Sequence, residues 1–137
     1  MLSEACDIEV RLRSETKKPF QFLISVEAAK YHSKRITFNA LTGKNQNQTN
    51  NYIFHIQGSQ CHKKNWHFIV WKQIEDSSSS KAVWEISDHV KVKLESLPFE
   101  SLPSPFNYQP SVNVSVKDDL KLHFGSRFGI ISCQFCV

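Results

Sequence analysis

Apolar and polar residues alternate along nearly the whole chain. Ile8, Val10 and Leu12 interleave with Glu9, Arg11 and Arg13, and Phe20, Phe22, Ile24 and Val26 keep the same rhythm. It recurs in Ile36/Phe38/Ala40, Tyr52/Phe54/Ile56, Trp66/Phe68/Val70, Val90/Val92/Leu94, Val112/Val114/Val116 and Leu120/Leu122/Phe124. Successive side chains of an extended chain point to opposite faces, so a period of two marks strands with one buried and one wet face. Sheets wet on one side are typically antiparallel.

The pattern predicts strands over 6–14, 20–26, 34–42, 52–57, 66–74, 82–86, 88–95, 112–117, 119–124 and 128–136. Between them, Glu27 to Ser33 breaks the alternation with Ala, Glu and Lys and predicts a single helical turn. In 66–74, Ile69 and Trp71 lie off the main phase, so both faces of that strand are at least half covered, as in a central strand. Gly43–Asn51 has no apolar residue and predicts a mobile loop; 58–65 and 75–81 are further polar connections. A tight turn is expected at Lys117–Asp119, and Gly125-Ser126-Arg127 is expected to turn the chain into the last strand.

One segment differs. Glu95-Ser96-Leu97-Pro98-Phe99 is followed by Glu100-Ser101-Leu102-Pro103-Ser104, and Pro105 and Pro110 complete a Pro-rich stretch over 95–110. Proline fixes φ and removes a donor, so this stretch predicts an extended surface or edge segment. About nine short strands at this spacing predict an all-β domain over 1–137, an antiparallel β-sandwich or jelly roll, with an elaborated β-barrel as second choice.

Composition refines this picture in three places. Ten Phe, three Tyr and three Trp supply a large apolar area, more than one core of this size obviously needs, and surplus aromatics at a surface mark interfaces. The net charge of +4 is carried by scattered pairs such as Lys17/Lys18, Lys34/Arg35, Lys63/Lys64 and Lys91/Lys93, which read as solvated surface. No apolar run approaches the ~18 residues of a membrane helix. Residues 1–7 show neither the basic start nor the apolar run of a signal peptide, so the default location is intracellular, cytoplasmic or nuclear. In that compartment Cys6, Cys61, Cys133 and Cys136 are expected to be free thiols, and the sequons at Asn47 and Asn113 carry no meaning. In a secreted protein Asn47 would be a plausible acceptor.

Candidate chemistry is sparse. Cys133-x-x-Cys136 has metal-knuckle spacing, and Cys61-His62 could complete a zinc set. Residues three apart on a strand point to opposite faces, so no metal or other cofactor is expected. His55, His67 and His123 share the out-of-phase position of their strands and would gather on one face if those strands were neighbours. Asp118-Asp119 reads as turn chemistry. There is no glycine-rich phosphate loop and no nucleophile elbow, so the chain is not expected to be an enzyme.

The tail Gly125-Ser126-Arg127-Phe128-Gly129-Ile130-Ile131-Ser132-Cys133-Gln134, with Pro110-Ser111-Val112, Leu120 and Leu122, resembles the last core strands of nucleoplasmin-type histone chaperones. It departs at Arg127-Phe128, where that family has Gly-Pro, and the chain lacks that family's acidic tract. The resemblance implies a jelly roll and self-assembly.

The expected function is non-enzymatic protein–protein contact, as a subunit of a larger or self-associating assembly. Phe99, Phe106 and Tyr108 of the proline segment, and Phe128, Phe135 and Val137 at the end, are the candidate contact residues. The alternative is a single-stranded nucleic-acid-binding barrel using Lys63, Lys64, Trp66 and Arg127, since basic residues beside aromatics can hold phosphates while bases stack.

Overall fold

The computed structural model describes residues 5–38, 51–74, 83–96 and 110–133. The proline-segment residues Phe99, Phe106 and Tyr108, the terminal Phe135 and Val137, Cys136, Asn47 and the loop residues 43–50 lie outside the described residues.

The strands are β1 (Ala5–Ser14), β2 (Phe20–Val26), β3 (Tyr31–His32), β4 (Ile36–Phe38), β5 (Asn51–Ser59), β6 (Trp66–Ile74), β7 (Val83–Val92), β8 (Leu94–Ser96), β9 (Ser111–Val116), β10 (Leu122–Phe128) and β11 (Ile130–Cys133). The described residues form a β-sandwich and no closed barrel, so the first-choice architecture holds and the elaborated barrel does not. One sheet has the order β10-β9-β1-β5. The facing sheet has the order β3-β2-β6-β7, with β4 also on β2, and β8 and β11 form a separate two-stranded sheet. All pairings are antiparallel except β1 with β9, where Glu9 lies opposite Ser111 and Leu12 opposite Val114.

Alternation is what closes the sandwich. Ile8, Val10 and Leu12 of β1, Val112, Val114 and Val116 of β9, and Phe54 and Ile56 of β5 face inward from one sheet. Phe20, Phe22, Ile24 and Val26 of β2 and Trp66, Phe68 and Val70 of β6 face them from the other. Each buried side chain contributes roughly 1.5–3 kcal/mol, so this pattern commits the register of every long strand. A row of rings crosses the core: Phe124 stacks on Phe68 at 5.4 Å, Phe68 meets Phe22 edge-on at 6.2 Å, and Phe22 meets Phe54 at 5.4 Å.

Several boundaries differ from the expectation. The helical turn is confined to a 3-10 turn at Glu27–Ala29. The two strands expected over 82–86 and 88–95 are one ten-residue strand, β7, with a bulge where Val70/Asp88 pairing passes to Trp71/Ile86. Gly125 and Ser126 make a second bulge inside β10, and the chain turns later, at Gly129, whose φ of 70° favours glycine and where a Cβ would lie 3.2 Å from Pro110. The strand expected over 119–124 starts at Leu122, because Leu120 sits in the left-handed region at φ 57°. Gly58 is held for another reason: a Cβ there would lie 2.8 Å from the Ala29 Cβ.

The free-thiol expectation fails for two cysteines. Cys6 at the start of β1 is disulfide-bonded to Cys61, which begins a 3-10 turn, Cys61–Lys63, just after β5. Both are buried, and their Cα atoms are 6.0 Å apart, a separation a disulfide spans. Cys61 therefore has no thiolate to offer a zinc ion, and among the described residues no group of three or more His, Cys, Asp or Glu could hold a metal. Among the same residues no helix is long and apolar enough to cross a membrane.

Candidate protein-contact face

The two outward faces of the sandwich differ in kind. On the first sheet β1 presents Asp7, Glu9, Arg11 and Arg13, and its neighbours add His55, Gln57, Asn113, Ser115 and His123. These groups are largely satisfied among themselves. Asp7 bonds His55, Glu9 accepts from Arg11 at 3.0 Å, Asn113 donates to Ser126 at 2.7 Å, and His123 pairs with Asp119 at 2.8 Å. Among the described residues, the exposed apolar side chains Ile53 of β5 and Phe128 of β10, the latter opposite Ser111, interrupt the polar surface. This face is built to stay in water.

The outward face of the second sheet reads in cross-strand rows. Because Phe22, Ile24, Phe68 and Val70 point into the core, their odd-numbered neighbours point out. The register aligns Ser25, His67 and Lys91; then Leu23, Ile69 and His89; then Gln21, Trp71 and Ile86; then Gln73 and Trp84. Leu23, Ile69, Trp71 and Trp84 are half-buried and Ile86 is 56% exposed, so an aliphatic and aromatic stripe runs diagonally across β2, β6 and β7. The bulge in β7 makes the stripe. Asp88 and Ser87 turn inward, where Asp88 accepts from the Leu122 amide at 3.0 Å and Ser87 donates to the Leu120 carbonyl at 2.7 Å. That shift returns Ile86 and Trp84 to the outward phase.

Its charges share one sign. Arg35 lies over the Trp71 ring at 3.9 Å and Lys91 borders His67, whereas none of the outward positions in these rows is Asp or Glu. Glu85, the nearest carboxylate in sequence, lies on the other phase and pairs with Lys72 at 3.2 Å. His67 Nδ1 and His89 Nε2 are 3.0 Å apart. Partial burial first, then the neighbouring His67 and Lys91, lower the His89 pKa, and Asp88 only partly offsets them.

Folded His89 takes up a proton less readily than unfolded His89, so the stabilisation it gives is full above the ordinary value of 6.5 and is lost as pH falls from there through the lower folded value. In an NMR titration the His89 ring is expected to titrate below 6.5, and His67→Asn is expected to move it upward. A midpoint at or above 6.5 in the unmodified chain would contradict this arrangement.

The sequence-based candidates fall elsewhere. Phe128 is 40% exposed at the end of β10. Trp66 is fully buried, and its Nε1–H donates to the Cys61 carbonyl at 2.9 Å, so it has no face on which a base could stack. Lys63 and Lys64 follow β5 at one edge of the first sheet, whereas Arg127 is on β10 at the other. Lys64 is also paired with Glu27 at 3.3 Å. The three histidines do not gather: His55 and His123 belong to opposite edge strands of one sheet, and His67 belongs to the other sheet. Trp84, Ile86, Leu23 and Arg35 carry the face without having been singled out in the sequence. The signal that could have found them was the off-phase pair Ile69 and Trp71. No protein-family model and no curated protein matches the chain.

Proposed function

We propose that the chain is a protein–protein interaction module whose partner packs on the outward face of β2, β6 and β7, and that the partner's contact surface is acidic with apolar anchors. One observation carries this reading: an apolar stripe bordered by Arg35 and Lys91, with no carboxylate in the same rows. Tryptophan, aliphatic side chains and arginine are what the buried centre of a protein interface uses. Two like-charged faces of this kind repel, which favours a different partner over a second copy. Nucleic-acid interfaces are much more positively charged than this one, and Arg35 already covers the Trp71 ring. The Cys6–Cys61 disulfide favours an oxidising compartment over the cytoplasm or nucleus.

Two synthetic peptides of equal length test the reading, one alternating glutamate with leucine and phenylalanine, the other alternating lysine with the same residues. The acidic peptide is expected to bind and to shift the amide signals of Leu23, Ile69, Trp84 and Ile86. Ile86→Asp places a carboxylate in the stripe and is expected to weaken binding by about tenfold or more, with the melting temperature little changed. Equal binding of both peptides, or shifts confined to another surface, would sink the proposal. A labelled single-stranded oligonucleotide run in parallel tests the alternative. Binding that maps to Lys63, Lys64 and Arg127 and falls steeply with salt would favour it.

A further inference from the structure

We propose that His67 and His89 form a two-imidazole site for a transition-metal ion, copper(II) above others. The two side chains come from adjacent antiparallel strands on one outward face, on a diagonal: Lys91 lies opposite His67, and His89 lies opposite Ile69. That placement brings the facing nitrogens, Nδ1 of His67 and Nε2 of His89, to 3.0 Å, with the ring centroids 5.3 Å apart.

The separation decides the geometry. An ion about 2.0–2.1 Å from each nitrogen sees the two 3.0 Å-spaced donors at roughly 95°. Those are neighbouring corners of a square-planar or tetragonal ion, the preference of copper(II) and nickel(II), and copper(II) heads the affinity order for such ligands. A tetrahedral zinc ion would need the nitrogens about 3.3 Å apart, an opening of a few tenths of an ångström. Magnesium and calcium, which want oxygen ligands, find none among the carboxylates because these rows have none.

The protons balance without a partner. Without metal, one ring donates its facing N–H to the other. When the ion binds, that ring moves the proton to its other nitrogen through solvent, and both rings turn so that their facing lone pairs aim at the ion and not at each other. No third protein ligand is present among the described residues, so water completes the shell. Lys91 beside the pair repels the cation and moderates its affinity. His32, His55 and His123 each bond a partner other than imidazole: Ser25, Asp7 and Asp119 respectively.

The test is copper(II) titration of the full chain after alkylation of accessible thiols, read by calorimetry and by electron paramagnetic resonance. We expect one ion per chain, coupling from two nitrogens, and an unchanged particle mass by light scattering. His67→Asn and His89→Asn should each lower the affinity by about tenfold or more and reduce the coupling to one nitrogen. Both residues point outward, so a melting curve separates lost ligation from lost folding. His55→Asn and His123→Asn should leave binding as it was. The site is overturned if either His67→Asn or His89→Asn binds as tightly as the unmodified chain, if the control variants lose the ion instead, or if the ion binds by joining two chains. The outcome is independent of the protein-partner reading, which the peptide titration tests without metal.

Discussion

Removal of the Cys6–Cys61 bridge, by reductant or by Cys6→Ala with Cys61→Ala, is expected to destabilise the chain by roughly 4 kcal/mol, given the 55-residue separation it closes. The effect acts mainly on the unfolded ensemble, where closing so long a loop removes most conformational freedom. The folded side changes less, because both positions are buried beside residues that stay in place. The Trp66 indole still donates to the Cys61 carbonyl and holds the 3-10 turn against β6. Alanine leaves no hydroxyl without a partner in that site, so the variant reports the bridge and little else. For a domain of this size the loss corresponds to a fall in melting temperature of roughly 10–20 °C. Differential scanning calorimetry with and without reductant measures it. Coincident curves would mean that the bridge does not form, and would withdraw the support it gives to an oxidising compartment.

That bridge shows where sequence reading stops. The alternation of Ile8, Val10 and Leu12, and of Phe22, Ile24 and Val26, is a local property, so β1, β2 and β6 and their buried faces were legible. A disulfide is a long-range property: four cysteines allow three pairings, and nothing local to Cys6 points to Cys61. The same divide explains the bulges. Asp88 leaves the alternating phase because it caps the Leu122 amide, a contact across 34 positions. Without that contact, 82–86 and 88–95 look like two strands, and Ile86 looks like part of a break. Leu120 at positive φ was equally hidden, since leucine carries no local preference for that region. The contact face was half legible. Ile69 and Trp71 revealed that the outer side of β6 is apolar, but their neighbours depend on register with β7. The expectation that contact residues would lie in the proline segment and at the chain end falls mostly outside the described residues.

Phe68→Ala is expected to cost about 3–5 kcal/mol, the range for removing a large buried ring. The position is severe because of its place in the row of rings. Phe68 is wholly buried, stacks on Phe124 of the facing sheet, and meets Phe22 and Trp66 within its own. Truncation leaves a cavity bounded by side chains from both sheets. Its walls are the backbones of paired strands, which cannot collapse inward without breaking ladder hydrogen bonds. Phe68→Leu keeps much of the volume and should cost distinctly less. Phe124→Ala should cost less too, since that ring is only half-buried, and the double variant Phe68→Ala/Phe124→Ala should fall short of the sum because the two share one contact. Urea denaturation of the four variants measures these differences, and strict additivity would show that the rings do not pack as a unit. The consequence reaches the surface. Ile69 and Trp71 are set outward by the inward anchoring of Phe68 and Val70 on the same strand. A slackened core is therefore expected to weaken binding of the acidic peptide even where the chain remains folded, while Ile86→Asp weakens it with the core intact. The two variants separate the scaffold of the face from the face itself.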